Sequence, residues 1–374
     1  MSDKPRVVLH YLSFIHYRKS LFELLWSEKC PFEFNLLCDE SSPYGVKSFS
    51  VDSRAKVMNL RFKRFIWQKG ALRKTLRIKP DMVILLGVNP LILSSLFYFW
   101  LLKWRGIKVV WWGHGTLGHQ GKFGVKMRML HYKSSDGCIV YGNGGKEILE
   151  SHGMSTEKIF VINNCINSED YGLKRMNKAD LIKARAFKKD TLNIIFSGRL
   201  TSAKKVAQLL KALSSLSKDQ QSAISLKIIG DGPEKSTLEE QVSNYGLNSV
   251  VSFLGEVYGD DLEKHFLEAD IFVHPGTIGL SVVQALSYGL PVITHNNFET
   301  QKPEAESLTH GYNSLLFEED NVEGLLEKIN QMKNMKPEEM ADFQERCFES
   351  VARYTPEYVF EKFASSVINI LGND

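Results

Sequence analysis

Cysteine is scarce in this sequence: Cys30, Cys38, Cys138, Cys165 and Cys347 are the only five, and no C-x-x-C pair occurs. An odd, scattered set offers neither a disulfide framework nor a zinc site, and it fits free thiols in a reducing compartment. No two aspartates stand two positions apart. The D-x-D arrangement, in which carboxylates hold Mg2+ or Mn2+ against a diphosphate, is therefore missing. Long apolar runs are missing as well. The greasiest stretch, residues 91–102 (LILSSLFYFWLL), has twelve residues where a bilayer span needs about 20. It reads as a buried helix packed on a sheet. The start, MSDKPRVVLHYL, runs straight into a strand-like segment without the apolar core of a secretory signal. Net charge is small, +4, and 43% apolar with 24% charged residues is ordinary globular usage, which excludes collagen-like, disordered and coiled-coil chains.

What the small net charge conceals is an asymmetry. Residues 1–190 hold 32 basic and 16 acidic side chains, whereas residues 191–374 hold 15 and 27. A chain of 374 residues has the length of about two domains. The split in charge suggests that the two face different partners.

Short β-branched runs alternate with helical patterns. Strands are expected at 6–11, 34–38, 82–86, 108–112, 137–141 and 159–162, with helices such as 19–27 and 125–133 between them. A second series of strands follows at 192–196, 226–229, 250–254, 271–273 and 291–293. This order predicts an α/β protein of two Rossmann-like, doubly wound parallel sheets. Residues 168–190 are polar and carry no strand run, so the boundary falls there. The domains are expected at 1–170 and 185–355, with a last helix, 356–374, packing back on the first. Ligands of such sheets sit beyond the carboxyl ends of the strands, and two sheets facing each other would form a cleft.

Several motifs sit at those ends. Gly113-His114-Gly115-Thr116-Leu117-Gly118 has G-x-G-x-x-G spacing after a strand. A dinucleotide site would place an acid at the end of the next strand, but Asp136 precedes that strand. An active-site loop carrying His114 is the better reading. Gly198-Arg199-Leu200 ends another strand, and Lys204 and Lys205 follow at a helix start. Cations at one strand end suit a diphosphate. Gly230-Asp231-Gly232-Pro233 and Phe253-Leu254-Gly255-Glu256-Val257 are further strand–turn units. His274-Pro275-Gly276-Thr277-Ile278-Gly279-Leu280-Ser281 is a glycine-bearing loop entering a helix, whose N–H groups favour phosphate.

In order and spacing these motifs, closed by Gln284-Ala285-Leu286 and Gly289-Leu290-Pro291-Val292-Ile293, resemble the carboxy-terminal half of GT-B nucleotide-sugar glycosyltransferases, closest to the retaining family 4. The likeness is strong over 192–330 and weaker over 105–170. Thr294–Phe298 with Pro303-Glu304-Ala305-Glu306 looks like transferases that assemble bacterial capsule, O-antigen or lipopolysaccharide glycans. The resemblance implies that Arg199 and Lys204 neutralise the donor diphosphate and act with His114 in catalysis. It places Gly198, Lys205, Glu256, Val257, Gly276, Thr277, Ile278, Gly279, Leu280, Ser281, Gln284, Glu304 and Glu306 around the donor. His16, Tyr17 and Arg18 fall to the acceptor. The family commonly carries two glutamates eight positions apart, and here those positions are Gly276 and Gln284. The donor sugar is then held differently, or Glu304 or Glu306 substitutes, or turnover is lost.

The implied activity is transfer of a sugar from a UDP- or GDP-linked donor to a growing, lipid-linked glycan. Retention of configuration is expected, with no cofactor and no metal. A nucleotide-sugar epimerase and an inactive nucleotide-sugar-binding protein are the alternatives. Arg61, Lys63, Arg64, Lys69, Arg73, Lys74, Arg77 and Lys79, with Phe62, Phe65, Ile66, Leu72 and Leu76 at helical spacing, read as an amphipathic basic helix suited to an anionic membrane surface. No nucleic-acid motif is seen. A cytoplasmic protein, peripheral on the inner face of the plasma membrane, is expected.

Overall fold

The computed structural model describes residues 4–14, 16–40, 55–115, 121–170, 172, 180, 182 and 191–372. It divides into two compact units, residues 1–167 with 356–374, and residues 168–355.

The amino-terminal unit holds β1 (Arg6–Ser13), β2 (Glu33–Asp39), β3 (Met58–Phe62), β4 (Phe65–Lys69), β5 (Met82–Leu86), β6 (Lys108–Gly113), β7 (Gly137–Val140) and β8 (Ile159–Val161). Its helices are α1 (Lys19–Trp26), α2 (Ala71–Ile78), α3 (Leu93–Trp104), α4 (Lys122–Ser134) and α5 (Asn143–Ser151). Six strands form a parallel sheet in the order β2-β1-β5-β6-β7-β8. Its strands are nearly continuous apolar runs because both faces are covered. Leu9, Ile84 and Trp112 face one core, and Val8, Val83 and Trp111 face the other. The helix Pro356–Gly372 completes the first core with Val359, Phe363, Val367 and Ile370. The Phe363 ring lies 5.1 Å from Trp112 and 6.5 Å from Phe32. Lys108 Nζ donates to the carbonyls of Ile370 at 2.9 Å and Leu371 at 3.1 Å, an end of the helix that favours cations.

The carboxy-terminal unit repeats the plan. Its strands β9 (Leu192–Ser197), β10 (Ile224–Ile229), β11 (Val251–Gly255), β12 (Ile271–Val273), β13 (Val292–His295) and β14 (Ser314–Phe317) pair in parallel in the order β11-β10-β9-β12-β13-β14. The chain moves outward from β9 to β11, then returns to the other side of β9 as β12. The loops after β9 and β12 thus part at a topological switch point, where such sheets bind ligands.

Two expectations need correction. The basic stretch 61–79 is not one helix. Its first part is an antiparallel hairpin, with Leu60 opposite Trp67 and Phe62 opposite Phe65, and only Ala71–Ile78 is helical. Lys63 turns the hairpin at φ 55° and Gly70, at φ 84°, separates it from α2. The spacing that looks helical in the sequence straddles both breaks. Nor is the greasy helix wholly buried. Ser94, Ser95, Tyr98, Phe99 and Leu102 of α3 face the core, while Leu93, Phe97, Trp100 and Trp104 are exposed. No helix among the described residues is long and apolar enough to cross a membrane.

Because Phe363 is buried against Trp112 and Phe32, Phe363→Ala should destabilise the protein by about 3–5 kcal/mol. The measurement is the urea midpoint followed by tryptophan emission. An unchanged midpoint would show that the helix adds nothing to this core.

Candidate functional site

In the carboxy-terminal unit, three strand-end loops lie backbone against backbone. Gly198 N–H donates to Ile229 O at 3.0 Å, and Leu200 N–H donates to Asp231 O at 2.9 Å. A Cβ at Gly230, which has φ 130°, would overlap the Gly198 carbonyl; one at Gly232 would come within 2.7 Å of the Leu200 carbonyl carbon. Both positions therefore demand glycine. Asp231 is held at this turn by Gly232 N–H at 2.6 Å and Lys235 at 3.2 Å.

The loop after β9 continues through a 3-10 turn, Ser202–Lys204, and Lys205 at φ 51° starts the helix Val206–Ser214. The loop after β12 meets it directly. Thr277 N–H donates to Ala203 O at 2.9 Å, and Lys204 Nζ donates to Thr277 O at 2.5 Å. A Cβ at Gly276 would overlap the Ala203 carbonyl oxygen and lie 2.6 Å from the Lys204 carbonyl carbon. A side chain there requires the facing backbone to move, which is a packing reason for glycine at this position.

Burial, joined by the neighbouring Lys302 charge and opposed by Glu304, lowers the Lys204 pKa to about 8. Desolvation disfavours the ammonium unless an anion compensates it. Arg199 is exposed at the end of β9. Beneath the loops, His274 is fully buried against Phe196, with ring centroids 4.8 Å apart. Burial, then the Lys204 charge, pulls its pKa to about 3, so the ring is neutral. Its Nδ1 lies 3.2 Å from Gly276 O, and its Nε2 has no partner among the described residues.

Gln301 supplies the second anchor. Its Oε1 accepts from Ile278 N–H at 2.7 Å, and its amide nitrogen lies 2.9 Å from His295 Nε2. The helix Leu280–Ser287 begins just beyond, with Gln284 one turn in. Among the described residues, no acceptor takes the N–H groups of Gly279, Leu280 and Ser281. His274 and Gln301 escape sequence reasoning. A polar residue in a strand end or turn carries no periodic signal, although Gln301 does follow the Thr294–Phe298 stretch that looked family-like.

The structure thus brings together Gly198, Lys204, Gly276, Thr277, Ile278 and Gly279, with Glu304 buried within electrostatic reach of Lys204. It does not bring Lys205, a correction to the sequence reading. That ammonium is tied to Glu319 at 2.8 Å and Asp320 at 2.6 Å. Glu256 and Val257 follow β11 at the sheet edge, with β10 between them and β9. Glu306 accepts through its backbone carbonyl from Arg353 at 2.6 Å.

In the amino-terminal unit His114 is exposed after β6, on a turn that packs against α5; a Cβ at Gly145 would overlap the His114 carbonyl. Its ring lies 4.9 Å from Tyr141. Gly118 of the dinucleotide-like spacing lies outside the described residues, as does the side chain of His16. Tyr17 is half-buried. Arg18 needs correction as an acceptor ligand, since it is only 3% exposed. It donates to Tyr141 Oη at 2.7 Å and Asn164 Oδ1 at 3.2 Å, and its guanidinium lies 4.7 Å from the Trp112 ring centroid. Aromatic faces hold it as an internal cation.

Gly276→Ala should therefore destabilise the unit by about 1–3 kcal/mol through overpacking. Gly276→Glu should cost more and fail to raise nucleotide affinity. A thermal melt with and without nucleotide reads both; a stable, tighter-binding Gly276→Glu protein would refute the packing account.

Residues 177–349 match the family model described as glycosyl transferases group 1. The sulfoquinovosyl transferase SQD2 of Arabidopsis thaliana is 27% identical over 170 residues, 45% of this chain and 32% of the plant protein. The alpha-monoglucosyldiacylglycerol synthase of Streptococcus pneumoniae is 24% identical over 167 residues, 43% of this chain and 38% of that one. The chain thus spans about a third of the length of these two relatives. The Anabaena protein HepE, solved in complex with UDP and glucose, superposes with a TM-score of 0.68 at 14% identity, covering 97% of this chain and 99% of that one. The chain has the GT-B glycosyltransferase fold, and its residues 177–349, under half of its length, are similar to the glycosyl transferases group 1 family.

Proposed function

We propose that the protein is a glycosyltransferase. It takes a sugar from a UDP- or GDP-linked donor bound at the β9/β12 switch point and passes it to a glycan acceptor. The observation that carries this reading is Lys204, a desolvated ammonium pinned to the Thr277 carbonyl in the loop whose Gly279–Ser281 N–H groups have no acceptor among the described residues. A departing nucleoside diphosphate supplies the negative charge that Glu304 alone does not, since the Lys204 pKa stays lowered despite that carboxylate. Preorganised donors aimed at developing charge are usually the largest catalytic contribution.

In this reading Arg199 and Lys204 do the work of a metal ion, and EDTA leaves transfer unchanged. Configuration at the transferred carbon is retained, as the family resemblance implies. Gln301, which fixes the Ile278 amide, takes over the loop-anchoring part of the absent glutamates, and Glu304 is the carboxylate whose charge acts on Lys204. The acceptor is a lipid-linked glycan. The amino-terminal unit supports this with charge: residues 55–135 contain sixteen Lys or Arg and a single acid, Asp81.

A thermal-shift screen with UDP, GDP, CDP and their sugars tests the donor side. One nucleotide should stabilise the protein, and Arg199→Ala or Lys204→Ala should lower turnover by about 10²–10³-fold. No response to any nucleotide would refute the reading.

The pH dependence has a definite sign. Lys204 titrates near 8 in the free protein, and a bound diphosphate raises that value, so binding takes up a proton around pH 8. Phosphate loses its own last proton near about 6. Affinity should hold steady between about pH 6 and 8, weaken as pH rises through 8, and weaken below about 6 as the phosphate is protonated. Calorimetry in buffers of different ionisation enthalpy reads the proton uptake, which Lys204→Met should abolish.

A further inference from the structure

We infer that the outer faces of α3 and α4 form an interfacial docking surface that seats the amino-terminal unit in an anionic phospholipid layer. This deepens the acceptor side of the reading above and rests on it for purpose, while its geometry stands on its own.

Leu93, Phe97, Trp100 and Trp104 recur at i, i+4, i+7 and i+11 of α3, which places them on one stripe. The stripe points away from the core that Tyr98, Phe99 and Leu102 enter. Trp104 is 80% exposed and Phe97 56%. On α4 the same spacing brings out Phe123, 77% exposed, with Met127 and Leu130.

The two stripes belong to one surface. Trp100 Nε1 donates to His131 Nε2 at 3.2 Å, and His131 Nδ1 bonds the Met127 carbonyl at 2.9 Å. On the other side, Ile66 N–H of the hairpin donates to Leu91 O at 2.7 Å, and the Trp67 and Phe97 rings lie 6.0 Å apart.

Adjoining exposed apolar side chains rimmed by polar residues mark an interaction site. Its chemistry selects the occupant. Exposed Lys63 and Arg64 turn the adjoining hairpin, Arg105 follows α3, and Lys122 and Lys126 flank Phe123. A second copy meeting this face by two-fold symmetry would set like charge against like charge. Trp and Phe bordered by Lys and Arg instead match the headgroup boundary of an anionic bilayer. At twelve residues, α3 is too short to span one, so it lies in the surface.

The test uses the full chain with vesicles of phosphatidylcholine alone and of phosphatidylcholine with about one-third phosphatidylglycerol. The protein should sediment with the second and not the first, and brominated acyl chains should quench its tryptophan emission. Trp104→Glu/Phe123→Glu, both at exposed positions, should lose at least tenfold in vesicle affinity while keeping its melting temperature and nucleotide response. Trp104→Phe should keep binding but lose part of the quenching. Unchanged binding by the double variant, absence of quenching, or a wild-type dimer that the double variant dissociates would each overturn the inference. Failure of the donor reading registers separately, as no nucleotide response in the wild type.

Discussion

Backbone lies directly on backbone where the loops leaving β9, β10 and β12 meet, and the charged groups of the carboxy-terminal unit take their places from that contact. Gly230 and Gly232 let the second loop close on Gly198 and Leu200, and Gly276 lets the third close on Ala203 and Lys204. Close approach removes water from Lys204 and aims its ammonium at the Thr277 carbonyl. It also leaves no room for an acid at position 276. The same contact thus deprives the loop of a carboxylate and creates a partly desolvated cation beside it. Gln301 and His274 then hold the loop from outside and from below.

The amino-terminal unit solves a different electrostatic problem. Arg18 is buried with its guanidinium 4.7–5.7 Å from the ring centroids of Trp112, Tyr141, Tyr11 and Tyr17. Desolvating such a group costs several kcal/mol. A desolvated cation–π contact returns about 2 kcal/mol, so several ring faces together with Tyr141 and Asn164 offset most of the cost. Tyr141, which accepts from Arg18, also packs against His114. The exposed histidine therefore stands over a buried, hydrogen-bonded cation.

Much of the fold is legible from residue order. Strands β5 and β12 begin and end where their apolar runs do, because parallel strands covered on both faces need such runs. Strand β14 escapes notice, being four residues long and preceded by the polar stretch Thr309–Asn313. The β3–β4 hairpin is misread because Phe62, Phe65, Ile66, Leu72 and Leu76 mimic a helical stripe across a turn and a glycine. The glycine loop and Lys204 are readable as motifs. Lys205 and Arg18 are not, since a cation's partner is decided by residues distant in sequence, Glu319 and Asp320 in one case and Tyr141 and Asn164 in the other. Gln301 and His274 act through side-chain hydrogen bonds and ring packing, which leave no pattern along the chain.

The helix Pro356–Gly372 bears on the order in which the protein is made. It belongs to the amino-terminal core, yet the ribosome produces it only after all of residues 168–355. At about 5–20 residues per second, Trp112 and Phe32 wait on the order of ten seconds or more for Phe363. The carboxy-terminal unit is contiguous and meets no such delay. The later unit can therefore close before Phe363 reaches the earlier core.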